Sequence, residues 1–288
     1  MKTIRVLKNR FCESLYLPYL IIGVAGITLL CFFSQLFTDV SGEKYTIIQF
    51  LLKNNKKELS LNNSISYYTI INAGMNGWIE IFGPAFLTMS YALQTSAEYK
   101  NRALNYTLPR EGLKNYVTTK LVSCVISGGI ILALGFLTFC ILCIPFQGDL
   151  MPADKDNLKV IFYGLDANNK AMFYIYRFIR LFLLGMYLTI PGIISCIFFK
   201  DRYILFFLPV LISYIYSQSL NYLISKAIYR QDFNMINKLQ KISFNNIKMI
   251  PNNKQLLLYF ALLIVCITTL ILLCYFVVKR RNRRGTYA

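Results

Sequence analysis

Residues 15–37, LYLPYLIIGVAGITLLCFFSQLF, contain no charged side chain. The hydrocarbon core of a bilayer is about 30 Å thick and takes roughly 20 apolar residues in helix to cross. This run therefore predicts a membrane span. It is too long for the apolar core of a signal peptide and no small-residue cleavage site follows it, so the span is expected to be retained. Working outward, residues 78–95 (WIEIFGPAFLTMSYALQT) are less apolar and hold Glu80 near one end. Residues 121–146 and 181–199 are free of charge, and the second of these is expected to extend back through Arg180 and Arg177, a span of 177–199. Residues 203–224 follow after only Lys200, Asp201 and Arg202, and 255–278 end against KRRNRR. Pro18, Pro84, Pro191 and Pro209 fall inside these runs, but neighbouring helices can re-satisfy the carbonyls that a proline frees. The expected fold is all-α: a polytopic integral membrane protein of about six transmembrane helices in a single domain.

Composition agrees. Soluble domains carry about 25% charged residues; here 15% are charged and 56% hydrophobic. The net charge of +18 would raise nucleic acid as a partner in a soluble chain, but no nucleic-acid-binding motif accompanies it. Beside long apolar runs it reads as Lys and Arg gathered at span ends, facing anionic lipid. The eight cysteines (Cys12, Cys31, Cys124, Cys140, Cys143, Cys196, Cys266 and Cys274) lie in or beside apolar runs and outside the expected outer loops, so no disulfide framework is indicated. Cys140 and Cys143 form a C-x-x-C, but their apolar neighbours make them small core filler rather than a redox pair or metal site. There is no histidine, which removes the commonest general base and transition-metal ligand. Abundant Asn, Lys and Ile suggest an AT-rich bacterial genome.

Basic residues orient the spans. One side would hold the arm 1–14 (Lys2, Arg5, Lys8, Arg10), the segment 96–120 (Lys100, Arg102, Arg110, Lys114, Lys120), the Lys200/Arg202 turn and the tail 279–288 (Lys279, Arg280, Arg281, Arg283, Arg284). The other side spreads its basic residues over longer loops that also carry most of the acids, among them Asp149, Asp154, Asp156 and Asp166. Short loops and span ends decide orientation, so both termini are expected in the cytoplasm, in the cell membrane. The basic loop 225–254 runs against this pattern.

An ionisable residue inside the membrane marks function by default. The spans are nearly bare of them. Glu80 lies just inside the outer boundary, and Arg177 and Arg180 can snorkel to it; interface anchoring is the first reading of all three, substrate contact the second. H-E-x-x-H, G-x-S-x-G and G-x-x-x-x-G-K-[ST] are absent, so neither an enzyme nor an ATP site of the chain's own is indicated, and no cofactor or metal is implied. Gly128, Gly129 and Gly135 suit close helix packing.

Residues 98–123, EYKNRALNYTLPREGLKNYVTTKLVS, differ from an ordinary loop. Ala103, Leu104 and Leu108 space as one helical face, Pro109 is expected to stop that helix, and Arg110-Glu111-Gly112 to make the turn. A short amphipathic helix at the cytoplasmic surface, joined to two spans, would result; the plainer alternative is a basic loop at the lipid surface. Glu98, Tyr99, Arg102, Ala103, Leu104, Leu108, Pro109, Arg110, Tyr116 and Lys120 resemble the corresponding stretch of ABC-2-type transporter permeases. The six-span plan, the cytoplasmic termini and the amphipathic arm (Ile4, Val6, Leu7, Phe11) are similar too. The resemblance implies a translocation path in this chain and a separate ABC ATPase subunit docking on Glu98, Arg102, Leu104, Leu108, Pro109 and Arg110. It also implies a homo- or heterodimeric permease, working as an exporter. A non-transporting membrane scaffold or sensor partner would share the topology without needing an ATPase.

Residues 38–77 and 146–172 are polar and Asn-rich and are expected to be outer loops. In 225–254, Phe233, Ile236, Leu239 and Ile242 recur every three residues beside Lys238 and Lys241, which predicts a helix lying on the outer surface.

Overall fold

The backbone of an apolar run has no water to bond to in hydrocarbon, so it must close its hydrogen bonds on itself. The computed structural model shows that outcome. It describes residues 12, 17–38, 44–53, 66–75, 77–100, 104–149, 170–199, 201–242 and 253–283. The N-terminal arm apart from Cys12, Arg102, Lys200 and most of the expected loop 146–172 lie outside these. The elements in chain order are α1 (Leu17–Phe32), β1 (Gln35–Thr38), β2 (Lys44–Thr46), α2 (Ile47–Lys53), α3 (Tyr67–Ala73), α4 (Trp78–Lys100), α5 (Leu104–Glu111) and α6 (Leu113–Cys143). A 3-10 turn (Ile144–Asp149) continues α6, and α7 (Lys170–Leu188), α8 (Ile190–Phe198), α9 (Arg202–Tyr229), α10 (Phe233–Ile242) and α11 (Asn253–Arg283) complete the chain.

Among the described residues, four helical stretches are long and apolar enough to cross a membrane: Leu113–Phe146, Tyr174–Phe198, Tyr203–Tyr229 and Leu256–Arg280. Leu17–Phe32 and Trp78–Met89 are shorter apolar helices. The first apolar run ends as helix at Phe32, short of its expected end at residue 37; the remainder turns into β1, with the Ile47 N–H donating to the Ser34 carbonyl at 3.1 Å. Near the other end of the chain, α9 outruns its expected end at 224 and reaches Tyr229.

Helix α6 is the hub. It packs against α1, α7 and α11, while α4 packs against α1 and α9. Lipid tails are as apolar as leucine, so contact between spans is driven by close packing rather than by water exclusion, and small residues let backbones approach. The α6–α7 crossing works this way. A methyl group on Gly185 of α7 would lie 2.8 Å from both the Gly128 carbonyl oxygen and the Gly129 Cα of α6. Further along, Gly135 of α6 faces Ile27 of α1, and Thr28 of α1 donates to the Gly135 carbonyl at 3.0 Å. Helices α7 and α8 meet at Thr189, where Pro191 follows without an N–H to offer the previous turn.

The stretch 38–77, expected as a loop, contains packed structure. Strands β1 and β2 pair antiparallel with Phe37 opposite Tyr45, their rings stacked at 5.2 Å. Ile47, Phe50 and Leu51 of α2 and Tyr67, Ile70 and Ile71 of α3 are buried in one cluster with Ile27, Phe136, Phe139 and Cys140 of the spans. Ser66 caps α3 by accepting from the Thr69 N–H at 3.2 Å, and Tyr67 donates to the Cys140 carbonyl at 3.1 Å. Burial and the hydrogen bond with Tyr174 push the Tyr67 phenol up, so it stays protonated. A second core cluster fills the opposite end of the bundle, around Tyr91, Tyr116, Leu121, Cys124, Ile193, Cys196 and Cys274. None of the eight cysteines is in a disulfide; Cys140 and Cys143 are buried packing.

The crossing gives a direct test. Gly185→Ala should destabilise the protein by about 1–3 kcal/mol through overpacking against backbone that cannot rotate away. Gly83→Ala, whose methyl would make ordinary contacts with Ile79, Leu188 and Ile27 at 3.5, 3.7 and 4.0 Å, should be neutral or slightly stabilising. Thermal unfolding of both variants in the same detergent measures the difference, and equal midpoints would contradict the packing described.

Candidate functional site

The segment singled out in the sequence forms an elbow. Helix α4 runs to Lys100, α5 occupies Leu104–Glu111, and α6 starts at Leu113. Gly112 alone separates the last two helices, at φ +79°, a conformation that suits glycine. Pro109 does not stop α5, as its position predicts, but lies inside the last turn. Proline there forfeits its own N–H bond and crowds the carbonyl of the previous turn, yet the helix continues and the Gly112 N–H closes it on the Leu108 carbonyl at 2.9 Å. The stop therefore falls at Gly112.

The expected docking residues divide by environment. Pro109 and Arg110 are exposed, and Arg110 lies in the last helical turn, where a cation meets the negative end of the helix dipole. Leu108 is half-buried and packs against the cluster around Tyr91 and Tyr116. Leu104 opens α5, and Arg102 lies outside the described residues.

Glu98 has a different role. Near the end of α4, it accepts from both the Lys120 ammonium and the Tyr116 hydroxyl on α6. Lys120 also donates to the Tyr116 oxygen at 2.9 Å and lies over the Tyr91 and Tyr116 rings, 5.6 and 5.2 Å from their centroids. The Lys120 side chain is 7% exposed and that of Glu98 15%. A cation this deep requires a counter-ion and donors or π faces around it, since water cannot supply them. The arrangement bolts the root of α4 to the root of α6, directly behind α5. Thr95, Cys196 and Cys274 are among the residues that line a cavity of about 30 Å³ beside Lys120, room for a single water molecule.

At the strand end, Arg177 of α7 is buried, and its Nη2 donates to the Asn72 side-chain oxygen on α3 at 2.7 Å. Arg180 is half-buried one turn on, and Glu80 is half-buried in the first turn of α4. Arg177 thus ties a span to the packed segment that the sequence presents as a loop. Its partner lies on a short helix with no charge to advertise it. Among the described residues no group of three or more His, Cys, Asp or Glu could hold a metal ion.

Helix α9 adds a feature that the apolar count conceals. Leu205, Pro209, Ser213 and Ala227 are buried, while Tyr214, Gln218, Asn221, Tyr222 and Ser225 lie exposed along the far side of its second half. Spacings of three and four residues put these polar groups on one stripe.

The bolt predicts a sign pattern. Glu98→Gln or Lys120→Met alone leaves a buried charge uncompensated and should cost about 3–5 kcal/mol. The double variant should recover most of that loss. Thermal unfolding in detergent checks it; if each single variant matched the parent, the pair would not be holding the two helix roots together.

No family model, curated protein or solved structure matches the chain.

Proposed function

We propose that the chain is the membrane-spanning permease subunit of an ABC transporter of the ABC-2 type. In this reading six helices cross the cell membrane, both termini and α5 are cytoplasmic, and a separate ATPase subunit docks on α5. The permease acts as a homo- or heterodimer and as an exporter, and the partner hydrolyses ATP.

The observation that carries this is the construction of the α4–α5–α6 elbow. A short helix presenting Pro109 and Arg110 at its surface is joined to two long helices whose roots are locked by Glu98, Lys120 and Tyr116. A surface element meant only to meet lipid headgroups has no use for a rigid connection to the spans. A docking element needs one, because force on α5 becomes tilt of α4 and α6 only if the joint does not give. Rearrangements of packed helices of this kind are within the ordinary repertoire of protein motion.

The stripe on α9 supports the other half of the reading. A glutamine facing lipid hydrocarbon loses hydrogen bonds it would make elsewhere. Gln218 and Asn221 on an exposed face are suited to a water-filled path or to the amides of a second permease chain, since an amide both donates and accepts.

Arg110→Glu should reduce recovery of the ATPase with the affinity-purified permease in mild detergent by about tenfold, taking a charge-assisted contact at 1.5 kcal/mol or so. Membrane insertion and the amount of permease should not change. Undiminished recovery of the ATPase would remove α5 as the docking element.

A further inference from the structure

Helix α9 is 28 residues long, about 42 Å at the usual rise and longer than a hydrocarbon core of about 30 Å. Starting at the α5 end, it must emerge from hydrocarbon before it finishes. The chain then makes a tight corner. Arg230 closes on the Lys226 carbonyl at 3.2 Å, Gln231 takes φ 54°, and Asp232 bonds back to the Ala227 carbonyl at 3.0 Å. The Asp232 carboxylate then accepts from the Met235 N–H at 3.0 Å and caps α10. Helix α10 is thus held at the depth where α9 leaves the membrane, with no slack between them.

The surface of α10 suits that depth. Met235 is exposed, with Ile236 and Leu239 half-buried on the same side, and Phe233 opens the helix 73% exposed at the margin of that side. Asn234, Asn237 and Lys238 occupy the opposite side. At the end of α9, Tyr222 and Tyr229 are exposed, the amphipathic rings that collect where bilayer meets water. Lys226, Arg230 and Lys238 are exposed around the corner, and the one acid among them, Asp232, is engaged as a helix cap. A patch with an apolar ledge, tyrosines and excess cations is complementary to a layer of anionic headgroups over acyl chains.

We propose that α10 lies in the headgroup layer where α9 ends, with Met235 at the acyl boundary and Lys238 on lipid phosphate, making this corner a contact site for anionic phospholipid. The proposal needs α9 to cross the bilayer but does not need the chain to be a transporter, so the two can fail separately.

The test uses the full chain with Trp78→Phe, carrying either Met235→Trp or Asn237→Trp, in vesicles of phosphatidylcholine with one quarter phosphatidylglycerol. Tryptophan at 235 should be quenched by lipid brominated near the headgroup and spared by aqueous iodide; tryptophan at 237 should show the reverse. Bromine carried on phosphatidylglycerol should quench position 235 roughly two-fold more than the same mole fraction on phosphatidylcholine, and Lys238→Glu should abolish that excess. Iodide quenching of both positions would place α10 in water. Shielding of position 235 from lipid bromine as well as iodide would place it against protein, a second copy of the chain included. Either result overturns the proposal, and equal quenching by the two brominated lipids overturns its anionic preference.

Discussion

A polar group surrounded by hydrocarbon has no water to turn to and must find its partner within the protein. For the backbone that constraint leaves helices as the form in which the long apolar runs can exist. For side chains it dictates the composition of the few polar clusters. Lys120 is surrounded by what a buried ammonium requires: a carboxylate in Glu98, a hydroxyl in Tyr116 and two aromatic faces. Arg177 is met by the Asn72 amide. Thr88, Thr95 and Ser195 each return their hydroxyl to the carbonyl four residues earlier. The same shortage of water removes the usual reason for helices to associate, so the bundle relies on glycine-level contact at its crossings.

These facts bear on how movement would travel. The two core clusters sit at opposite ends of the bundle, and α4, α6 and α11 run between them. Helix α6 is joined to α5 through Gly112 at one end and packed against α2 and α3 at the other, so tilt imposed at α5 would carry along its length. In the proposed transporter the elbow would be the input and the far end, with the α9 stripe beside it, the output.

Much of the architecture was legible in the sequence because a span is a local property: a long run without charge, read one residue at a time. The 121–146 and 203–224 runs appear as helices extended at one or both ends, and Gly128, Gly129 and Gly135 sit at helix crossings as their size suggested. The helix expected over the 233–242 periodicity is present as α10. What could not be read was pairing at a distance. The residues of 38–77 are polar enough on average to look like a loop, and only the company of Phe136, Phe139 and Cys140 shows why Ile47, Phe50 and Ile70 are where they are. Glu98 and Lys120 were each visible as motif residues, but the bond between them joins two helices across a turn whose geometry depends on Gly112. Pro109 misled for a related reason: the helix runs on past it to Glu111 and closes through the Gly112 N–H on the Leu108 carbonyl, so the stop is set by Gly112.

The account's central claim is that α5 and the roots of α4 and α6 face the cytoplasm. Lys114, exposed in the first turn of α6, can be replaced by cysteine in a chain whose exposed Cys12 is changed to serine, and intact cells treated with a membrane-impermeant thiol reagent. The account predicts no labelling in intact cells and full labelling once the membrane is opened. Labelling in intact cells would put the elbow on the outside, where no ATPase could reach it.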